Sequence, residues 1–288
     1  MSQSPIRTVY LNGEFLPENE ARLSIFDRGF LFGDGIYEVT AVLDGKLIDS
    51  ASHMARLERS AREIDVPLPV STDEIVAIEK RLVEENGLVE GMVYLQVTRG
   101  AEDRNFLFSE DIKPTLVLFT QAKTLVNVAA ATKGLSVKTV PDQRWERRDI
   151  KSVCLLPQVI AKRIAKEAGC DEAWMIEDGF VTEGASSTAY IVTADNRIVT
   201  RGNSHKTLPG CTRLAALALA REQGMTLEER PFTLDEALNA REACLTSASN
   251  FVAPITRIDG KPVGSGEPGP VVKRLRELYL EHARRTAI

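Results

Sequence analysis

Two α+β domains is the fold class this sequence predicts. Hairpin strands alternate with helices kept in separate stretches, the pattern restarts once past a weakly periodic segment, and the chain is long enough for two cores. A doubly wound sheet would instead alternate strand and helix regularly. At 288 residues and 43% hydrophobic content, the chain fills one large core or two moderate ones.

The elements follow in order. Residues 8–15 carry Asn12-Gly13, a two-residue hairpin turn, and 39–48 carry Asp44-Gly45 in the same role. Residues 52–64 set His53, Leu57, Ala61 and Ile64 at helical spacing. Ser71-Thr72-Asp73-Glu74 is a capping box, opening a helix that stops near Gly87. Residues 92–98 and 115–120 read as buried strands. Small residues and weak periodicity over 121–133 place a linker at 122–133, between a first domain over 1–121 and a second over 134–288. In the second, 135–140 reads as a strand, 155–168 as a helix closed by Gly169, and 172–176 as a strand before Asp178-Gly179. Hairpins at Asp195-Asn196 and Asp259-Gly260 and an amphipathic helix over 271–285 complete the chain, with antiparallel strands dominant. There is no internal repeat or low-complexity segment.

The formal charge of −5 arises from 36 basic and 41 acidic residues mixed along the sequence, which argues against nucleic acid or an anionic membrane as partner. Cys154, Cys170, Cys211 and Cys244 are widely spaced, with no C-x-x-C pair and three histidines, so no metal site is expected and a reduced, cytoplasmic protein fits. Met1-Ser2-Gln3-Ser4-Pro5 opens no apolar leader, and no run approaches the roughly 20 apolar residues of a membrane span.

Chemistry concentrates around Lys151, in Arg147-Arg148-Asp149-Ile150-Lys151-Ser152. A lysine flanked by apolar residues loses its proton more readily and is a candidate Schiff-base nucleophile, although most lone lysines are solvated charges. Glu183, in Val181-Thr182-Glu183-Gly184, is a candidate partner for a pyridoxal ring nitrogen, which stays protonated beside an acidic group; Thr-Glu-Gly is also a common turn. Leu208-Pro209-Gly210-Cys211-Thr212-Arg213 runs into a strong helix former, so its free N–H groups form either an anion site for a phosphate or simply a helix start. Arg56 lies beside the apolar face of its helix, where a surface role is the plain reading. Arg104, on a polar loop between two strands, either binds a carboxylate or pairs with Glu102 or Asp103. Phe32-Gly33-Asp34-Gly35-Ile36-Tyr37 has the glycines of a nucleotide loop but precedes a strand instead of following one, which excludes that reading.

In order and spacing, the segments 27–39 (Asp-Arg-Gly-Phe-Leu-Phe-Gly-Asp-Gly-Ile-Tyr-Glu-Val), Asp149-Ile150-Lys151-Ser152, Val181-Thr182-Glu183-Gly184 and Thr246-Ser247 resemble those of fold-type IV pyridoxal phosphate enzymes, the class IV aminotransferases, and most closely the D-amino-acid aminotransferases among them. The resemblance covers nearly the whole chain. It implies a two-domain enzyme with a smaller N-terminal α/β sandwich and a larger, antiparallel β-rich C-terminal domain with flanking helices, which binds pyridoxal 5'-phosphate. It also implies a homodimer with shared active sites. Lys151 would form the Schiff base and shuttle the substrate proton, and Glu183 would pair with the pyridine nitrogen. Arg56, the backbone of Cys211 and Thr212, and Ser247 would hold the phosphate. Tyr37 and Arg104 would contact the substrate carboxylate, with Ser249 beside them, and in the family that arginine reaches across from the neighbouring subunit. The implied reaction is ping-pong transamination between a D-amino acid and a 2-oxo acid such as pyruvate or 2-oxoglutarate.

Three positions depart from the family pattern. Phe106 stands where a histidine is usual, which widens the expectation to larger side chains or (R)-primary amines. Ala248 replaces a phosphate-binding threonine, leaving Ser247 or Ser249 as substitutes, and Cys154 replaces a frequent asparagine. Two other activities share the scaffold: a branched-chain L-amino-acid aminotransferase, against which the match around Tyr37 and Arg104 argues, and an aminodeoxychorismate lyase. A non-catalytic protein on the same fold is the third alternative.

Overall fold

The computed structural model describes residues 6–288; Met1-Ser2-Gln3-Ser4-Pro5, read above for a leader, lie outside them. The chain divides into two compact units. The first holds the described residues through Thr124 together with Ile150–Cys154 and Thr286–Ile288, and the second holds Leu125–Asp149 and Leu155–Arg285.

The first unit is a two-layer α+β structure. Strands β1 (Thr8–Leu11) and β2 (Glu14–Pro17) form the first hairpin, helix α1 (Arg28–Phe32) follows, and β3 (Gly35–Leu43) turns into the short β4 (Lys46–Leu47). Helices α2 (Ser50–Glu63) and α3 (Thr72–Glu85) precede β5 (Gly91–Thr98) and β6 (Thr115–Ala122). The sheet order is β2-β1-β6-β5-β3-β4, and every neighbouring pair is antiparallel. Both hairpin turns have positive φ at their two central residues, 48° and 104° at Asn12-Gly13 and 52° and 73° at Asp44-Gly45, the type I′ geometry that suits the twist of paired strands. The expected capping box forms: Glu74 N–H donates to Ser71 Oγ at 3.2 Å and Ser71 N–H to Glu74 Oε2 at 2.9 Å. Leu57, Ala61, Ile75 and Leu82 from the helices pack on Val93, Leu95, Leu116 and Leu118 from the strands, all buried.

The second unit begins with α4 (Ala129–Lys133) and β7 (Leu135–Pro141), then α5 (Leu156–Glu167), β8 (Glu172–Glu177) and β9 (Phe180–Gly184). Strands β10 (Thr188–Val192) and β11 (Ile198–Thr200) lead to α6 (Cys211–Glu222) and β12 (Leu227–Glu229). The rest is α7 (Leu234–Leu238), β13 (Glu242–Ser247), β14 (Phe251–Ile258), β15 (Lys261–Pro262) and α8 (Pro270–Thr286). The main path of its sheet is β12-β11-β10-β13-β14-β7-β8-β9, with β15 paired to β14. Antiparallel pairs dominate, but β7 with β8, β7 with β14, and β11 with β12 are parallel. The helix α5 is the crossover a parallel β7–β8 pair requires. Trp174, Phe232, Leu245 and Ile255 are among the residues filling its core.

Candidate active site

In the first unit, β5 takes one edge of β3 from Gly35 to Val42, and β4 takes only the C-terminal end of the other. The segment Ile150–Cys154 lies against the N-terminal end of that second edge, at Gly35–Tyr37. Tyr37 N–H donates to the Lys151 carbonyl at 2.9 Å, Val153 N–H to the Gly35 carbonyl at 3.0 Å, and Lys151 N–H to Ser60 Oγ at 3.3 Å. This backbone anchoring sets the half-buried Lys151 side chain, whose Nζ lies 4.1 Å from the centre of the Tyr37 ring. Tyr37 stacks on Tyr94 at 5.7 Å and Tyr94 on Phe119 at 4.8 Å, a row of rings across β3, β5 and β6. Burial, with Tyr37 adding to it, pushes the Tyr94 phenol up, and its hydroxyl donates to Gln96 Oε1 at 2.8 Å. Cys154 Sγ donates to the Gly33 carbonyl at 3.4 Å.

Arg56 is no surface arginine. It is buried, and its Nε and Nη2 donate to Glu38 Oε1 and Oε2, each at 2.8 Å. His53 Nδ1 lies 2.8 Å from Glu38 Oε2, and Thr40 Oγ1 donates to Glu79 Oε1 at 3.0 Å. Burial alone would raise Glu38, but Arg56 and His53 outweigh it and hold the carboxyl well below the usual range. Glu79 lacks such a cation pair: burial pushes it up to about 7 against the pull of His53 and Thr40, with the Glu38 charge adding to the rise. Arg104 lies exposed on the β5–β6 loop, its guanidinium 5.2 Å from the Phe32 ring and 5.6 Å from the Phe106 ring. Its sequence neighbour Glu102 is engaged elsewhere, accepting from Ser109 Oγ at 2.7 Å and Arg28 Nη1 at 3.4 Å.

In the second unit, Glu183 sits on β9, 4% exposed. Its carboxylate pairs with Arg144 Nη1 and accepts from Leu208 N–H at 3.2 Å. Arg144 also donates from Nε and Nη2 to Asp142 at 3.0 and 2.7 Å. Asp142 accepts from Thr182 Oγ1 at 2.6 Å and faces Arg148 Nη1 at 3.2 Å. Arg148 Nη2 reaches Glu177 at 2.7 Å, and with Lys206 it draws that carboxyl down to about 2. The chain of alternating charges decides the state of Glu183. Burial raises its carboxyl and Arg144 opposes that rise; Arg144 itself, buried yet held by Glu183 and Asp142, stays protonated, so the two form an ion pair.

Helix α6 starts at Gly210 without a side-chain cap, so the first-turn N–H groups at the buried Cys211 and Thr212 form an anion-favouring end. At the β13–β14 turn, Ser247 Oγ accepts from Asn250 N–H at 3.1 Å and lies 3.5 Å from Ser249 Oγ. Phe251, which follows, is held at φ 55° with its ring buried against Tyr279, a strained conformation of the kind that accumulates at binding sites.

Residues 35–258 match the family described as Amino-transferase class IV. The chain belongs to the class IV aminotransferases. Among similar proteins, a D-alanine aminotransferase of Bacillus licheniformis is 41% identical over 268 residues, 93% of this chain and 94% of that protein. One from Staphylococcus aureus strain MSSA476 is 38% identical over 275 residues, 95% and 97%. The structure of the Escherichia coli branched-chain amino acid aminotransferase superposes with TM-score 0.92 at 20% identity, covering 97% of this chain and 95% of that one. A T.th. branched-chain amino acid aminotransferase, complexed with N-(5'-phosphopyridoxyl)-L-glutamate, gives 0.87 at 25%, covering 98% and 95%.

As a class IV aminotransferase, the chain sets Lys151 against Tyr37 and Ser247 beside Ser249, with Arg56 in an ionic cluster and Glu183 at the end of another. Sequence reasoning missed Glu38, His53 and Glu79 around Arg56, and Asp142, Arg144 and Arg148 leading to Glu183. The charge density of 142–149 was the one available signal.

Proposed function

We propose that this chain is a pyridoxal 5'-phosphate-dependent aminotransferase that exchanges the amino group between a D-amino acid and a 2-oxo acid, with pyruvate or 2-oxoglutarate as acceptor. The observation that carries the proposal is a buried Glu183–Arg144 ion pair, with a Lys151 anchored by its backbone to β3, in a chain 41% identical to a D-alanine aminotransferase. The residues fit the cofactor: a buried carboxylate for a ring nitrogen, an uncapped helix start for a phosphate, and a half-buried amine over an aromatic ring.

When bound, the cofactor supplies an electron sink for the substrate α-carbon and carries the amino group between the two half-reactions. Lys151 takes the proton from that carbon and returns it. Arg144 keeps Glu183 ionised, so Glu183 holds a proton on the ring nitrogen. For the phosphate, the first unit would offer Arg56, fixed by Glu38, and the second unit would offer the N–H groups of Cys211 and Thr212 and Ser247 Oγ. For the substrate, the first unit would offer Tyr37 and Arg104, Arg104 for the carboxylate, and the second unit would offer Ser249. The working form is a cytoplasmic homodimer in which Arg104 serves the neighbouring subunit's site. Among the described residues, no helix is long and apolar enough to cross a membrane.

A substrate panel tests the proposal: D-alanine, D-glutamate, their L enantiomers, L-leucine and (R)-1-phenylethylamine, each with one 2-oxo acid. Turnover of the D enantiomers with little of the L supports it. Turnover of L-leucine without D-alanine overturns it in favour of a branched-chain activity, and repeated release of pyruvate from an amino donor with no 2-oxo acid added, without the cofactor accumulating as its amine form, overturns it in favour of a lyase.

A further inference from the structure

The loop that carries Arg104 is gripped from beneath by a second arginine. Arg28, at the start of α1, has a side chain only 5% accessible. Its Nη1 donates to the Asn105 carbonyl at 2.6 Å and its Nη2 to the Phe106 carbonyl at 3.1 Å, the two residues that follow Arg104. Its Nε donates to Asp34 Oδ2 at 2.9 Å, and its guanidinium lies 4.7 Å from the Phe32 ring and 5.4 Å from the Phe108 ring. Asp34 in turn is shared with Arg99, whose Nε donates to it at 2.8 Å. Arg99 is fixed by the carbonyls of Ile64 and Asp65 at 2.8 and 2.9 Å and lies 4.0 Å over Phe108. Glu102 closes the loop on itself through Ser109, while also meeting Arg28.

We propose that Arg28 is the positioning residue for Arg104: by pinning the two carbonyls after it, Arg28 presets the loop so that the Arg104 guanidinium, packed on Phe32 and Phe106, stands ready for a carboxylate. The inference rests on the reading of Arg104 given above. A long polar loop left to itself loses conformational freedom when it binds, and that loss weakens affinity. A planar guanidinium donates to two carbonyls and a carboxylate at once, which a lysine ammonium on a flexible stem does not reproduce. Phe106 thus has a second part in the site: its carbonyl is a handle for Arg28 and its ring supports Arg104. Arg28 touches no substrate. Its effect falls on the binding of carboxylate substrates and not on proton transfer.

The test is a double-mutant cycle on the cofactor-loaded enzyme, with steady-state kinetics for D-alanine at saturating 2-oxo acid. Arg28→Lys is expected to raise KM by about tenfold, the equivalent of losing one or two hydrogen bonds, with kcat within about twofold. In an Arg104→Leu background the same change is expected to have almost no further effect, because a residue that acts through another falls silent when that other is gone. Equal effects of Arg28→Lys in both backgrounds, or a fall in kcat at constant KM, overturn the proposal. If Arg104→Leu raises KM and Arg28→Lys does not, the proposal alone fails. If Arg104→Leu leaves KM unchanged, the reading of Arg104 fails first and takes the proposal with it. Should Arg28→Lys not fold, Ser109→Ala, which removes the Oγ bond to Glu102 and leaves only the N–H bond at that position, is expected to raise KM by about threefold and to fall silent in the same way; an unchanged KM overturns the proposal.

Discussion

Replacing Glu79 by glutamine removes one buried, ionisable carboxyl from the first unit and keeps its shape. Thr40 Oγ1 still donates to the remaining carbonyl oxygen, and the second position, Glu79 Oε2, has no hydrogen-bond partner to lose. With Glu79 pushed up to about 7 from an ordinary 4.5, the folded chain keeps its proton between those pH values while the unfolded chain gives it up. Stability therefore falls as pH rises through that window and is level above it. At about 1.4 kcal/mol for each tenfold change in proton affinity, the whole window is worth about 3 kcal/mol. The groups facing the carboxyl, Glu38, His53 and Thr40, are present in both proteins, so the difference isolates Glu79. Urea unfolding of wild type and Glu79→Gln from about pH 5 to about pH 8 is expected to give similar stabilities at the acid end and a variant about 2 kcal/mol more stable at the alkaline end. Parallel profiles, or a variant less stable at alkaline pH, would refute the reasoning.

Glu38→Gln strands the buried Arg56 charge and is expected to destabilise the chain by about 3 kcal/mol and to raise the Kd for pyridoxal phosphate, read by unfolding and by absorbance titration. Arg144→Leu leaves burial at Glu183 opposed only by the Leu208 N–H. Its proton affinity rises, so the acid limb of the kcat profile is expected to move to higher pH and kcat near neutrality to fall on the order of 10²-fold. Asp27→Ala removes the N-cap of α1, where Gly29 N–H donates to Asp27 Oδ1 at 2.8 Å, and also the Thr98 bond at 2.9 Å. About 1 to 2 kcal/mol is the expected loss in thermal unfolding.

What the sequence disclosed was local. The hairpins at Asn12-Gly13 and Asp44-Gly45 and the box at Ser71 are written in adjacent residues, and each forms. Helix α7 carries the same kind of box, Thr233 with Glu236, and is legible by the same rule. The five-residue α1 is too short to show a period. Parallel pairing of β7 with β8 leaves no turn signature, because the partners are joined through a helix. The charges of the candidate site were the least legible. Glu38 finds Arg56 18 positions away and Glu183 finds Arg144 39 positions away, and no spacing rule marks such pairs. Glu102, one of the partners open to Arg104, is likewise engaged from a distance, by Ser109 and Arg28.

The central claim is that Lys151 moves the proton at the α-carbon of a D-amino acid. Proton NMR of α-deuterated alanine incubated with the cofactor-loaded enzyme tests it most directly. Wild type is expected to wash deuterium from D-alanine and leave L-alanine untouched, and Lys151→Ala to exchange neither. Exchange confined to L-alanine, or exchange that persists in Lys151→Ala, would contradict the account.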